Sequence, residues 1–296
     1  VRIEGNAVIV DAPDGSHSFP RTMIRDVRPG ESDESTWTSR RAEAMKGGPT
    51  ERFTAAWWAL EHGLTAECTA MLREVDPDHA PSARMRQWLG RLDAPCPDPD
   101  LDALRAGLRG RFEVARGGHF VLLHQHSPAQ AAERLDLLER VLTTFYLSLS
   151  AHGVELDLPP TRLVAVWYAT QADYLAELRS HGSRAFLTTQ GYYHPTRGYV
   201  LTFDLHDDPT LRRRERELAS ATERDRERRA LLLDLDRRSQ EIGTAAHETI
   251  HQLVRASGLA PRFETFPIWL HEGLAMQFEV VRGGRWAGVG RLHPMR

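Results

Sequence analysis

The stretch TAAHETIHQLVRASG, Thr244–Gly258, sets two histidines and a glutamate among the apolar residues Ile250, Leu253 and Val254. On an α-helix, residues four apart stack one turn above another, so the imidazoles of His247 and His251 point the same way and can converge on one metal ion. Glu248 lies beside them on the same side of the helix. It is badly placed as a further ligand and well placed to take a proton from a metal-activated water. That is the logic of the H-E-x-x-H spacing: two ligands and a general base on one helix, serving Zn2+. Ile242, Ala246, Ile250, Leu253 and Val254 form the opposite face and predict burial there, while Gly258 and Pro261 end the helix. The chain contains 14 histidines. The competing reading is therefore two solvated histidines on a surface helix.

Catalytic zinc takes three protein ligands and leaves a position open. The next stretch, FPIWLHEGLAMQFE, residues 266–279, predicts a second helix that starts near Pro267, with Trp269, Leu270, Leu274, Ala275 and Phe278 inward. It carries His271 and Glu272 side by side. Twenty residues separate His251 from Glu272, enough for the first helix to end and the second to return antiparallel. Neighbours on a helix point about 100° apart, so one of the two, His271 or Glu272, can face the ion.

HETIH followed by W-L-x-E-G-L-A resembles the gluzincin metallopeptidases of the peptidase-MA-like clan, and most of all an uncharacterised bacterial domain family of that clan. The resemblance spans roughly residues 112–280 and is specific at the two motifs. It implies an α+β zincin-like fold, in which a mixed sheet packs against the active-site helix, and hydrolysis of peptide bonds by a metal-activated water. It also implies that His247, His251 and Glu272 hold Zn2+, that Glu248 is the general base, and that His271 stands outside the ligand set. Gluzincins carry an edge strand that holds extended peptide beside this helix, and Tyr199, Leu201 and Phe203 in the run Tyr199–Asp204 are the candidates for it. They usually draw a Tyr or His from beyond the third ligand to stabilise the oxyanion. Here the residues after Glu272 offer His293 alone. Three accounts follow: the chain stops before the missing segment, a hairpin residue (Tyr192, Tyr193 or His194) serves instead, or the enzyme is weak.

Around these motifs the chain divides into four parts. Residues 1–33 are β-rich, with Asp14-Gly15 as a hairpin signal. Residues 34–93 change to helical spacing through Phe53, Trp57, Leu60, Leu64, Cys68, Met71 and Leu72, with Gly63 between two helices. This part resembles one tetratricopeptide-like repeat, where a solenoid needs about three to be stable alone. It offers either a spacer packed on its neighbour or a surface for a protein partner, and Trp57 and Trp58 read as core. The Pro- and Asp-rich DAPCPDPD, residues 93–100, marks the boundary, and residues 94–111 read as a linker. From residue 112 the order is a strand pair, an amphipathic helix capped by Ser127 with Pro128 at its first position, a strand RLVAVWYAT, a short helix ending at Gly182, and the hairpin GYYHPTRGYVLTFD. That order predicts a mixed sheet with helices packed on it.

Residues 211–241 are dominated by Arg and Glu. Acidic residues alternate with the arginines, which predicts a solvated, partly disordered helix laced by i,i+4 pairs rather than a nucleic-acid stripe, with Leu231, Leu232, Leu233 and Leu235 tethering its end. A net charge of −3 gives no field for nucleic acid or anionic lipid, and 41% hydrophobic with 27% charged residues is ordinary for a soluble globular chain. No run of 18 apolar residues predicts a membrane span. The first residues, VRIEGNAVIV, read as strand rather than signal peptide, and the resemblance implies an exported protein. Cys68 and Cys96 read as unpaired thiols rather than a bridge. The rival functional class is a catalytically inactive zincin-like scaffold that binds a partner through its helical leader. An intact Glu248 argues against it, since a structural metal site needs no base.

Overall fold

The structure, a computed structural model, describes residues 2–12, 15–24, 32–76, 78–94, 96–182, 187–218, 220, 222–260, 266–282 and 284–290. Its centre is a five-stranded mixed sheet. The strands are β4 (Glu113–Arg116), β5 (Phe120–His124), β6 (Leu163–Tyr168), β7 (Gly191–His194) and β8 (Tyr199–Phe203), in the order β4-β5-β6-β8-β7. The inner strands β5, β6 and β8 run parallel, and β4 and β7 close the two edges antiparallel. Parallel strands covered on both faces carry apolar residues at nearly every position. FVLLH, LVAVWY and YVLTF do so, and all of their residues are buried.

The period of two sorts those residues onto two faces. Phe120, Leu122, Ala165, Trp167, Val200 and Tyr193 face one apolar core, which is filled from the other side by α6 (Pro128–Ala151) and by Ala245, Ala246, Ile250, Leu253 and Val254 of α9 (Glu223–Ala256). Val121, Leu123, Val164, Val166, Tyr199, Leu201 and Phe203 face a second core with Tyr174 and Leu178 of α7 (Gln171–Ser180). The helix α6 starts as its sequence predicts: the Ser127 hydroxyl accepts from Gln130 N–H, the Gln130 side chain returns the bond, and Pro128 occupies the first turn.

The three-stranded meander β1 (Arg2–Glu4), β2 (Ala7–Ala12) and β3 (Gly15–Pro20) forms the small N-terminal element. Ala12 pairs with Gly15 around the expected tight turn, whose Asp14 lies outside the described residues. Four helices follow: α1 (Asp33–Lys46), α2 (Pro49–Glu61), α3 (Thr65–Glu74) and α4 (Ala80–Leu92). They do not stand apart from the sheet domain. Trp37, Trp58, Met71, Met85 and Trp88 belong to the same core as α6 and α9, and Trp88 stacks on Tyr146 at 4.7 Å. The turn between α2 and α3 also meets the segment after the hairpin of β9 (Val281–Arg282) and β10 (Arg285–Trp286), backbone against backbone. A Cβ on Gly63 would lie 2.7 Å from the Trp286 carbonyl, and one on Gly288 2.5 Å from Gly63 N. Cys68 and Cys96 are both buried and unpaired.

Two expectations differ from what is found. Residues 94–111 are not a free linker. They contain α5 (Leu101–Ala106), Leu108 is buried in the second core, and Asp98 is held by Arg116 and Arg162. The charged stretch 211–241 is not a single solvated helix. It supplies α8 (Pro209–Leu218) and then the first half of α9, so the segment quoted at the outset is the buried end of a 34-residue helix. Leu233 is buried while Leu232 is exposed. Among the described residues no helix is long and apolar enough to cross a membrane.

A buried ion pair fixes α9 against α6. Arg134 Nε donates to Glu241 Oε1 at 2.8 Å, its guanidinium lies 4.6 Å from the centre of the Trp167 ring, and Asp204 sits 3.5 Å away. Glu241 stands less than two turns before His247. Arg134→Met should therefore leave Glu241 without its cation, Asp204 keeping His206, and lower unfolding stability by about 3–5 kcal/mol, read as a drop in the denaturation midpoint. A change below about 1 kcal/mol would mean that the pair does not anchor the helix.

Candidate metal centre

The last turns of α9 bring His247 and His251 to the same side, as their spacing requires. Their Nε2 atoms lie 3.1 Å apart. The Glu272 carboxylate of α10 (Ile268–Phe278) faces both, with Oε2 3.2 Å from His247 Nε2 and Oε1 3.5 Å from His251 Nε2. One ligand atom from each of the three residues lies within 4.8 Å of the other two, close enough for one metal ion to bridge them. Among the described residues these three alone form a His, Cys, Asp or Glu cluster tight enough for a metal ion. His271 is not part of it. Its ring packs at 4.2 Å against that of His251, with Nε2 buried and without a hydrogen-bond partner.

The surrounding groups fit such a donor set. His247 Nδ1 lies 3.1 Å from Glu279 Oε2, a carboxylate that turns the other ring nitrogen toward the cluster. Burial, with His271 and His247 adding to it, pushes His251 down to about 3 and keeps the imidazole neutral, the form that ligates. Gln252, one residue on, donates to the carbonyls of Val164 and Gly198 at 3.1 and 2.7 Å and so ties this turn of α9 to β6 and to the β7–β8 turn.

Glu248 reaches β7 with one carboxylate oxygen. Its Oε2 accepts the Tyr193 backbone N–H at 2.7 Å. Burial pushes its carboxyl up to about 7, against the lowering effect of His247 and of the Tyr193 N–H. The strand comes this close because position 191 has no side chain. A Cβ there would lie 2.5 Å from Thr244 Cγ2 and 2.8 Å from Glu248 Cγ. Glu279, Gln252 and Gly191 were not singled out in the sequence. Gly191 carried a faint signal, a glycine at the head of a strand, which often marks close approach of another element.

The hairpin corrects two expectations. The strand containing Tyr199, Leu201 and Phe203 is not an edge: β8 pairs with β6 on one side and β7 on the other, and those three side chains fill the second core. The edge beside α9 is β7. Of the candidate donors on β7, Tyr192 and His194 alternate onto the sheet face away from α9, where His194 packs on His181 and Tyr199 at 4.8 and 5.7 Å. Tyr193 faces α9, but its ring is packed in the core and it reaches the site through its backbone. His293 lies outside the described residues.

The second helix also differs in register. Ala275 and Phe278 are buried, but Trp269 is 72% exposed and Leu270 39%. Ile268, Trp269 and Met276 lie on the same side of α10 as the half-exposed Glu272, so the side that carries the carboxylate is the open one and Ala275 and Phe278 beside it turn in; a run that is apolar nearly all round gives no sequence signal of which side packs.

A family model described as "Protein of unknown function (DUF1570)" matches residues 241–296. That match spans the second half of H-E-x-x-H helix α9 and the Glu272 helix. Searches of the curated proteins and of the solved structures find no match.

A cleft of about 540 Å3 opens beside Glu248 and His247, bounded by residues 188–191, the start of α8 and the middle of α9. The Tyr193 amide should exchange slowly with solvent although it faces off the sheet edge, because a buried carboxylate accepts it. Gly191→Ala should push β7 from α9 and speed that exchange by about tenfold or more, a loss of at least about 1.4 kcal/mol of local protection. Unchanged exchange at Tyr193 in a folded variant would contradict this contact.

Proposed function

We propose that the chain is a zinc-dependent peptidase whose ligands are His247, His251 and Glu272 and whose general base is Glu248. The observation that carries this reading is the convergence of His247 Nε2 and His251 Nε2, 3.1 Å apart, on the two oxygens of the Glu272 carboxylate at 3.2 and 3.5 Å, with a separate carboxylate, Glu248, outside the cluster. A structural zinc site is closed by a fourth protein ligand. Among the described residues the cluster has three members, which leaves a position for substrate or water.

When bound, zinc supplies Lewis acidity toward water and toward a carbonyl oxygen. The protein's own groups do the rest. Glu248 takes the proton of the attacking water and passes it to the leaving amine, a task suited to a carboxyl that burial has raised toward neutrality. Glu279 holds the His247 ring in place. The edge β7 presents main-chain groups to an extended peptide, which adds to the sheet as a further strand. The Tyr193 N–H is engaged by Glu248 and fixes the distance between that strand and the base.

The test is zinc content together with hydrolysis of a broad peptide library. Wild type should hold one zinc per chain and cleave. Glu248→Gln should keep the zinc and lose activity by a factor of at least about 100, the scale of a general base. Zinc without turnover on any peptide would favour a binding protein instead. Glu279→Gln should weaken zinc by about 10- to 100-fold in a chelator competition, with the fold unchanged by circular dichroism. Equal affinity would remove Glu279 from the centre.

A further inference from the structure

The cleft beside the metal centre is unusually polar for a ligand site, since such sites are mostly apolar. Leu211 is its one apolar side chain, and that residue is itself 2% exposed. The floor is a chain of hydrogen bonds linking three elements. Asp208 Oδ1 caps α8, accepting Thr210 N–H and Leu211 N–H at 2.9 and 3.1 Å. Its Oδ2 accepts from Gln190 Nε2 at 3.3 Å, and the same amide donates to Gln240 Oε1 at 3.0 Å. Gln240 in turn bonds Asp236, which pairs with Arg214.

This network consumes the local cations and leaves one anion over. Arg214 is committed to Asp236 and Arg212 to Asp207. Asp208 is 6% exposed, lines the cleft, and has no cationic side chain within ion-pair distance among the described residues. At the other end of the cleft stand Glu248 and Glu279. A group with several N–H donors and a positive charge satisfies such a lining. An apolar group leaves the Asp208 charge without a counter-charge, and an acid meets like charge.

We propose that this cleft is a side-chain subsite of the peptidase and that it selects a basic residue, lysine or arginine, next to the bond cleaved. The proposal rests on the peptidase reading for the cleavage and on Asp208, Gln190 and Gln240 for the choice. Gln190 immediately precedes β7, so a peptide lying along that edge passes over the cleft.

The experiment uses the zinc-loaded full chain and a set of fluorogenic peptides identical except for Lys, Gln, Leu or Glu at each position flanking the scissile bond. At one position the Lys peptide should exceed the Leu and Glu peptides in kcat/KM by about tenfold or more, the scale of one partly shielded charge pair. Asp208→Asn, which retains the helix cap, should bring Lys and Gln peptides to similar values. Binding of the same peptides to Glu248→Gln, followed by fluorescence anisotropy, reads the preference without turnover. A wild-type preference for Leu or Glu overturns the proposal and needs no variant. So does a Lys advantage that survives in folded Asp208→Asn. Cleavage without a basic preference sinks the subsite and leaves the peptidase standing. Selective binding of the Lys peptide, lost in Asp208→Asn, with no cleavage of any peptide, does the reverse.

Discussion

Two imidazoles four residues apart can share a metal ion only if the helix that carries them cannot rotate. A few degrees of turn about the α9 axis would swing both Nε2 atoms away from the Glu272 carboxylate. The rigidity comes from the opposite side of the helix, where Ala246, Ile250, Leu253 and Val254 are all fully buried against the sheet and α6. Polar contacts then set the register along the axis. Glu241 is held by Arg134 before the histidines, and Gln252 reaches two carbonyls of the sheet region after them. Each is a buried polar group whose partner is fixed by another element, so sliding α9 would break several bonds at once.

The same packing sets the distance between Glu248 and the sheet edge. Gly191 lets β7 approach, the Tyr193 N–H closes on Glu248, and the cleft opens where the strand begins. The site is thus assembled from one long helix, one edge strand and one return helix. The helical leader takes part at a distance, since its α2–α3 turn touches the segment that follows α10 through Gly63 and Gly288. It shares the core rather than hanging from a linker, which makes it part of the scaffold of the centre.

Local patterns carried the most information in the sequence. The H-E-x-x-H spacing, the apolar face behind it, the Ser127 cap and the β7–β8 hairpin each depend on residues within a few positions of one another. The choice between His271 and Glu272 depends on how α10 docks, which spacing alone left open and the family resemblance resolved in favour of Glu272. The edge strand was misassigned because strand order is a long-range property: β6 pairs with β8 and skips β7, although β7 comes first in the chain. A signal did exist. YVLTF is apolar on both faces apart from one Thr, the mark of an interior strand, whereas GYYH has alternate partly exposed positions. Residues 211–241 misled for a related reason. A helix half in solvent and half in the core reads as a solvated helix until its second half is seen to be continuous with the first. Glu279 and Gln190 have no local signature, because each acts through a partner more than ten residues away, and Asp208 reads locally only as the cap before Pro209, while its contact with Gln190 is long-range.

The claim on which all of this depends is that His247, His251 and Glu272 surround one zinc ion. X-ray absorption at the zinc edge of the purified, zinc-loaded chain reads that directly. A shell of nitrogen and oxygen at about 2.0–2.1 Å, with the multiple-scattering pattern of two imidazoles that falls to one in His251→Ala, is the expected result. A spectrum with no imidazole scattering, or one that His251→Ala leaves unchanged, would contradict it.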